Sequence, residues 1–199
     1  MTPKQALEAL VQGNRRYAEG RAEHPGCGAD RRRDTLAHGQ HPLAAVLGCS
    51  DSRVPPELLF DQGVGDLFVV RTAGHVLDEA GLASIEYAVD HLHVPLLVVL
   101  GHSRCGAITA AVQGGEAHGH LAGLLGHLAP VVRQARAEAP GADADAVLAR
   151  AIELQVSQAS RQLLEQCAPV RRAVEAGACG LVGANYDLAS GLVAWPPAG

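Results

Sequence analysis

Two short motifs carry most of the residues that could do metal chemistry. Cys49, Asp51 and Arg53 stand at alternate positions, and His102 and Cys105 follow much later in the chain. Two cysteine thiolates and one imidazole are three of the four ligands that a tetrahedral zinc site uses. Because a structural site is usually closed by four protein ligands and a catalytic site keeps one position for water, these residues predict a zinc site whose fourth position is open or contested.

Asp51 is the residue best placed to contest that fourth position. Arg53 is its natural partner, since a guanidinium group matches a carboxylate with two parallel hydrogen bonds. If Asp51 binds zinc as a fourth ligand, it blocks water. If Arg53 holds it back, it can accept a hydrogen bond from zinc hydroxide, which forms near neutral pH because zinc lowers the pKa of a bound water from about 16 to about 7. Asp51 and Arg53 are therefore the predicted catalytic residues.

The composition predicts a soluble globular protein. Hydrophobic residues make up 48% of the 199 residues and charged residues 19%. The longest apolar run, residues 94–100, is far shorter than the ~20 residues of a membrane-spanning helix. Residues 1–8 lack the apolar segment of a signal peptide, so we expect a cytoplasmic location and no membrane partner. A net charge of -5 disfavours nucleic acid, and five cysteines, an odd number, favour reduced thiols over a disulfide framework.

Short apolar runs predict the strands that must position the motifs. Continuous rather than alternating hydrophobicity is typical of strands buried on both faces of a parallel sheet, and it occurs at residues 43–47, 67–70 and 96–100. Helical spacing of apolar residues predicts a crossover helix at 78–93 and further helices at 108–112, 121–138 and 145–166. Two apolar segments flanking a turn predict an antiparallel hairpin at the sheet edge, at residues 180–184 and 191–195.

The amino-terminal segment forms a separate feature. Thr2 can cap a helix with Pro3 at its first position. Apolar residues then recur at helical spacing, and Gly20 ends the predicted helix. Residues 21–34 are too rich in charge, Pro and Gly to bury themselves, so they cross the surface or another subunit. The predicted fold is a single α/β domain over residues 1–199. It has a mostly parallel central sheet flanked by helices, an antiparallel carboxyl-terminal edge hairpin and a protruding amino-terminal helix.

The motifs fall at the ends of the predicted strands. Cys49 follows the first strand, Arg71 the second, and His102 the third. In open α/β sheets, ligands bind beyond the carboxyl ends of the strands at a switch in strand order, so one common site is predicted there. Gly106, which lacks a side chain, would let a small ligand approach the backbone beside Cys105.

At these residues the sequence resembles the β-class carbonic anhydrases, whose pattern is Cys-x-Asp-x-Arg followed by His-x-x-Cys. The match is complete, and it extends through residues 14–17, 69–74, 84–89 and 183–187. The resemblance implies reversible hydration of CO2 to bicarbonate and a proton by zinc-bound hydroxide, with one Zn2+ per subunit held by Cys49, His102 and Cys105. It also implies a homodimer or homotetramer in which residues 1–35 form an arm that packs on the partner subunit.

The resemblance also suggests residues for a substrate pocket. In the plant-like branch, Gln40 would donate a hydrogen bond to the substrate, and Phe68 and Tyr87 would line a small apolar pocket for CO2. Val46 stands where the bicarbonate-regulated branch has Trp, which favours the open, water-bound state. His75 stands where relatives commonly carry Asn.

Other interpretations stay open at this point. Phe68 and Tyr87 occupy positions that core packing alone would explain, and Gln40 could be an ordinary loop residue. Cys27, Cys167 and Cys179 lack close His or Cys neighbours in the sequence and are predicted to pack as small buried hydrophobes. Relatives on this scaffold hydrolyse CS2 or COS, and a non-catalytic zinc module that senses bicarbonate is a further alternative.

Overall fold

The central sheet has the predicted parallel arrangement. A computed structural model describes residues 1–196, and within them a five-stranded sheet has the order β2-β1-β3-β4-β5. The first four strands pair in parallel and β5 runs antiparallel to β4, which confirms the predicted edge hairpin. The strands are β1 (Ala44–Cys49), β2 (Leu67–Thr72), β3 (Leu96–His102), β4 (Gly180–Tyr186) and β5 (Val193–Ala194).

The helices include those predicted from apolar spacing and three that the spacing did not indicate. They are α1 (Pro3–Ala18), α2 (Ala29–His38), α3 (Pro56–Leu59), α4 (Glu79–Asp90), α5 (Gly106–Gln113), α6 (His120–Glu138), α7 (Ala144–Gln166) and α8 (Ala168–Glu175), with a short 3-10 helix at Ala73–His75. The unpredicted helices are α2, α3 and α8. Helix α2 buries no residue, so it has no apolar stripe that the sequence could display. Among the described helices, none has both the length and the apolar character needed to cross a membrane.

Alternate side chains of the central strands pack into two separate hydrophobic cores, one on each face of the sheet. Helices α1 and α3 cover one face of the sheet, where Leu10 and Phe60 pack against Val46 and Val98. Helices α4, α7 and α8 cover the other face, where Leu47 and Val99 are buried. A third cluster, built mainly from α5, α6 and α7, lies over the carboxyl ends of the strands and includes two of the predicted metal ligands. The two cysteine ligands are therefore packed among apolar side chains.

The prediction of burial on both faces is correct for two strands and wrong for the third. Every residue of β1 and β3 is buried, but in β2 only Leu67 is fully buried and Arg71 is exposed. The reason is position, because β2 is the outer strand of the sheet and has β1 on one side only. An apolar edge strand of this kind is a surface on which another chain can pair.

The predicted amino-terminal helix is present, and one of its faces packs on its own chain. Thr2 caps α1, and its hydroxyl accepts a hydrogen bond from the Gln5 backbone N–H. At Gly13 the helix touches α3 so closely that an added Cβ would lie 1.8 Å from the Phe60 carbonyl oxygen. The exposed part of the amino-terminal region is thus α2 and the segments beside it.

The three cysteines outside the motifs have different environments. Cys167 and Cys179 are buried, as predicted, and burial raises the pKa of each thiol to about 11. Cys27 is exposed, so the prediction of a buried residue is wrong for that position. It lies before α2 in a segment that is rich in charged residues, Pro and Gly and is mostly exposed.

Candidate metal centre

The two sequence motifs meet at the carboxyl ends of neighbouring strands. Cys49 is the last residue of β1, His102 is the last residue of β3, and Cys105 precedes the first turn of α5. Their ligand atoms lie within 4.8 Å of one another, and the two sulfur atoms are 3.9 Å apart. The common site predicted from the strand ends is therefore formed.

The imidazole of His102 is oriented as a metal ligand would be. His102 is fully buried, and its Nδ1 lies 3.0 Å from the Ser103 carbonyl oxygen. A proton on Nδ1 donated to that carbonyl leaves the lone pair on Nε2, which has no hydrogen-bond partner among residues 1–196. A buried, unpartnered nitrogen beside two sulfur atoms fits a soft divalent metal such as zinc.

The environment of Cys49 favours its thiolate. Backbone N–H groups of Asp51 and Gly74 donate to Cys49 Sγ at 3.4 and 3.3 Å. The hydrogen bond with Cys105 is the largest influence that lowers the pKa of Cys49 and, in return, it raises the pKa of Cys105. Both sulfur atoms bind a metal as thiolates, so metal binding requires that the Cys105 thiol lose its proton.

Asp51 and Arg53 form the predicted pair beside the three ligands. Arg53 Nε donates to Asp51 Oδ1 at 2.9 Å, and Arg53 Nη2 donates to Oδ2 at 2.7 Å. These hydrogen bonds, despite the opposing effect of burial, hold the pKa of Asp51 well below its usual range. Asp51 Oδ2 lies 4.0 Å from His102 Nε2, so the carboxylate faces the ligands while both of its oxygens are bound by Arg53.

Comparisons with known proteins identify the family. A profile of the family described as carbonic anhydrase matches residues 44–193. The chain is 41% identical over 196 residues to carbonic anhydrase 2 of Mycobacterium tuberculosis, with 95% of this chain and 90% of the relative covered. A carbonic anhydrase of Mycolicibacterium smegmatis is 42% identical over 198 residues, with 96% and 92% covered. The chain belongs to the carbonic anhydrase family.

Solved structures place this carbonic anhydrase in the β class. A β-carbonic anhydrase of Aspergillus fumigatus superposes with a TM-score of 0.78 at 32% identity, covering 97% of this chain and 91% of that one. Tetrameric β-carbonic anhydrases of Sordaria macrospora give a TM-score of 0.78 at 27% identity, with 98% of each chain covered. The resemblance inferred from the motifs is confirmed.

Arg71 braces the loop that carries Cys49 and Asp51. Its Nε donates to the Cys49 carbonyl oxygen at 2.8 Å, and its Nη2 donates to the Asp51 carbonyl oxygen at 2.6 Å. One guanidinium from the neighbouring strand therefore fixes the backbone on both sides of Ser50. Arg71 was noted in the sequence because it follows the second predicted strand, but the sequence does not specify these two hydrogen bonds.

Ser103 ties the loop between His102 and Cys105 to the segment that follows β4. The Ser103 hydroxyl donates to Asp187 Oδ1 at 3.0 Å and accepts the Leu188 backbone N–H at 2.9 Å. Asp187 belongs to the segment at 183–187 that also carries the family resemblance. The family resemblance therefore drew attention to Asp187, but only the structure shows that Asp187 holds Ser103.

Gly101 is required by close packing directly before His102. An added Cβ would lie 2.3 Å from Asn185 Oδ1 and 2.6 Å from Val156 Cγ2. We expect Gly101→Ala to lower the free energy of unfolding by about 1–3 kcal/mol, since an overpacked buried strand must shift. The shift should also reduce zinc content, because it displaces the adjacent His102.

The matched control is Gly48→Ala, which stands directly before Cys49 on the neighbouring strand. A Cβ at Gly48 would meet no atom within 4 Å. Chemical denaturation and zinc analysis of both variants check the prediction. Equal behaviour of the two would contradict the packing role of Gly101.

The predicted pocket residues do not gather around the metal ligands of their own chain. Phe68 and Tyr87 contact each other, with ring centroids 6.1 Å apart, and Tyr87 is 47% exposed. In the strand register Phe68 pairs with Ala45, whereas Cys49 pairs four residues later along β2. At ~3.3 Å per residue that offset is about 13 Å, so the aromatic pair lies toward the opposite end of the sheet.

The other two predicted substrate residues have different positions. Gln40 is exposed and precedes β1, so it lies toward the same end of the strands as Phe68, away from Cys49. Gly106 begins α5 directly after Cys105, and an added Cβ there would meet no atom within 4 Å. Open space therefore adjoins the ligands at Gly106, whose role in the approach of a small molecule stays a prediction.

Proposed function

We propose that this chain binds one zinc ion through Cys49, His102 and Cys105 and catalyses the reversible hydration of CO2 to bicarbonate and a proton. The observation that carries the proposal is the meeting of three ligand atoms within 4.8 Å, beside a carboxylate held by Arg53. A structural zinc site has no need of the ion pair between Asp51 and Arg53, and this argues against a non-catalytic sensing module. The relatives found are named carbonic anhydrases, which favours CO2 over CS2 or COS.

The donor set fits zinc, and the surrounding residues determine how the nucleophile is used. When bound, zinc supplies a water molecule whose pKa is lowered toward neutrality. Asp51 is ionised and both of its oxygens accept from Arg53, so it is a weak base. We assign it the task of accepting a hydrogen bond that orients the nucleophile, with Arg53 keeping it ionised and out of the fourth ligand position. The open backbone at Gly106 leaves room for the substrate beside the ligands.

The substrate pocket is proposed to be shared between two subunits. If two β2 edge strands pair antiparallel about a two-fold axis, the start of one strand lies beside the end of the other. The Phe68–Tyr87 pair and Gln40 of one subunit then approach the Cys49 loop of its partner. The half-buried apolar edge of β2 and the exposed Tyr87 ring support this arrangement, as does a helix α2 without buried residues.

The assembly follows from that arrangement. A homodimer is the smallest unit with complete sites, and a homotetramer is two such dimers. Residues 1–35 contribute an arm to the interface through α2. Solved neighbours described as tetrameric are consistent with the larger assembly. The cytoplasmic location and the lack of nucleic-acid partners stay predictions from the sequence.

Complementation between subunits tests both the function and the shared pocket. Asp51→Asn and Tyr87→Ala each damage every site when present alone. In a heterodimer of the two variants, one site carries both changes and the other carries neither. We therefore expect coexpressed heterodimers to recover about half of the wild-type CO2 hydration rate per dimer.

The measurement is CO2 hydration by heterodimers purified with two different affinity tags. The two homodimeric variants provide the baseline. Recovery no greater than the mean of those homodimers would show that the residues act within one chain. The rates of the wild-type protein on CO2 and on CS2 distinguish a carbonic anhydrase from a CS2 hydrolase. The hydrolase alternative requires CS2 to be turned over faster than CO2.

A further inference from the structure

The short 3-10 helix after β2 places two left-handed residues in succession beside the metal ligands. Gly74 has a φ of 63° and His75 has a φ of 43°. Glycine adopts such angles readily, whereas a residue with a side chain does so uncommonly. The backbone N–H of Gly74 donates to Cys49 Sγ at 3.3 Å. The direction of this N–H, and so its contact with a zinc ligand, depends on the left-handed turn.

His75 is an unusual residue for the interior of a protein. Its side chain is fully buried, and neither ring nitrogen has a hydrogen-bond partner within residues 1–196. Burial lowers the pKa of His75 to about 4, and the charge of Cys49 opposes this change, so the ring lies within electrostatic reach of the thiolate. An unpartnered buried ring and a left-handed backbone both destabilise the fold. Features of this kind persist where the surrounding structure uses them, which indicates a task for His75 beside Cys49.

Gln155 of α7 contacts the same turn. It is only 3% exposed, and its Nε2 donates to the Gly74 carbonyl oxygen at 3.4 Å. Both backbone polar groups of Gly74 are therefore engaged, the N–H by Cys49 and the carbonyl by Gln155. The Gln155 Oε1 atom is buried without a partner in the described part of the chain. An apolar side chain would avoid that cost, so the contribution of the amide here is its donor to Gly74.

We propose that His75 and Gln155 are positioning residues for the zinc ligand Cys49, and that both act through Gly74. His75 fixes the left-handed turn by packing its ring in the interior, and Gln155 fixes the carbonyl of the turn. The Gly74 N–H is thereby kept directed at Cys49 Sγ. Groups that hydrogen-bond to a metal ligand orient it and tune its affinity for the metal. The inference deepens the proposed function and rests on it, since it requires zinc at Cys49.

The zinc affinity of the purified protein in its native oligomeric state, measured by competition with a chelator, tests the proposal. His75→Phe keeps a ring but lacks the polar atoms and the tolerance of a left-handed backbone. Gln155→Met keeps the length of the side chain but removes the donor to Gly74. We expect each variant to weaken zinc binding by about tenfold or more, as when a residue that supports a ligand is lost. His75→Asn should bind zinc as the wild type does, because asparagine tolerates a left-handed backbone.

The cobalt(II)-substituted protein separates positioning from a general loss of stability. Its thiolate-to-metal charge-transfer absorption reports the electron density on the cysteine sulfurs. We expect this band to shift in His75→Phe and Gln155→Met and to keep its wild-type position in His75→Asn.

Two matched controls account for the type of substitution. His93 is also left-handed, with a φ of 52°, but it is exposed and precedes β3, at the opposite end of that strand from His102. Gln158 lies about one turn after Gln155 on α7. His93→Phe and Gln158→Met should both keep the wild-type zinc affinity and cobalt spectrum.

Equal zinc affinities and cobalt spectra in the wild type and both test variants would overturn the proposal. Lower stability to denaturant with an unchanged affinity and spectrum would also overturn it, because the residues would then be merely structural. If His75→Phe does not fold, wild-type behaviour of Gln155→Met is sufficient to overturn the role of Gly74. A wild-type protein that retains no zinc would overturn the proposed function instead, and the expected affinities in a protein that never hydrates CO2 would overturn only its catalytic part.

Discussion

Replacing His102 with alanine is expected to abolish zinc retention and CO2 hydration together. Its Nε2 is a buried nitrogen without a hydrogen-bond partner within residues 1–196, and it lies with the two sulfurs in one ligand group. Without His102, only the two cysteine thiolates remain to hold the zinc ion. We expect zinc affinity to fall by more than about a hundredfold, since even the loss of a residue that only supports a ligand costs 10–100-fold.

Metal analysis of the purified variant and CO2 hydration assays check this prediction. His118→Ala is the matched control, because His118 is an exposed histidine of the loop before α6. The control should keep both zinc and activity. A His102→Ala protein with full zinc and full turnover would contradict the assignment of the ligand group.

Replacing Asp51 with asparagine should separate metal binding from turnover. The amide has nearly the same shape, so the three ligands stay in place and zinc content should match that of the wild type. Asparagine cannot form the charged pair with Arg53, and its NH2 group can donate where the carboxylate only accepts. We expect CO2 hydration to fall by about a hundredfold or more, as when one preorganised polar group is removed from an active site.

Paired zinc and rate measurements decide the role of Asp51. Glu138→Gln provides the control, since Glu138 is a surface carboxylate that accepts from Arg150 at 2.6 Å. This control should behave as the wild type. Unchanged turnover in Asp51→Asn would refute the orienting role, and loss of zinc would instead make Asp51 a required ligand.

The ligands were predictable because the information that places them is local. Cys49 and His102 each end a short apolar run, and parallel strands carry such residues to one edge of the sheet. The supporting contacts were not predictable in the same way. The N–H of Gly74 reaches Cys49 because the chain turns sharply after β2, with Gly74 at a φ of 63°. No pattern of residue types specifies that hydrogen bond.

The exposure of β2 depends on what lies beside it, which its own residues do not encode. The apolar run at residues 67–70 resembles those of the two buried strands, yet β2 is at the sheet edge. The same limit applies to Phe68 and Tyr87. Resemblance assigned them to a pocket by position relative to the motif, but it did not specify which subunit's metal they would face. The strand register separates Phe68 from Cys49 of the same chain by four residues, and this distance is the reason for proposing a pocket shared with the partner subunit.

The central claim is that zinc held by Cys49, His102 and Cys105 hydrates CO2. Stopped-flow CO2 hydration, followed from neutral to moderately alkaline pH with zinc content measured on the same samples, tests it most directly. The rate should increase in proportion to bound zinc and should rise with pH as the activated water ionises. A fully zinc-loaded protein that is inactive across the whole pH range would contradict the claim.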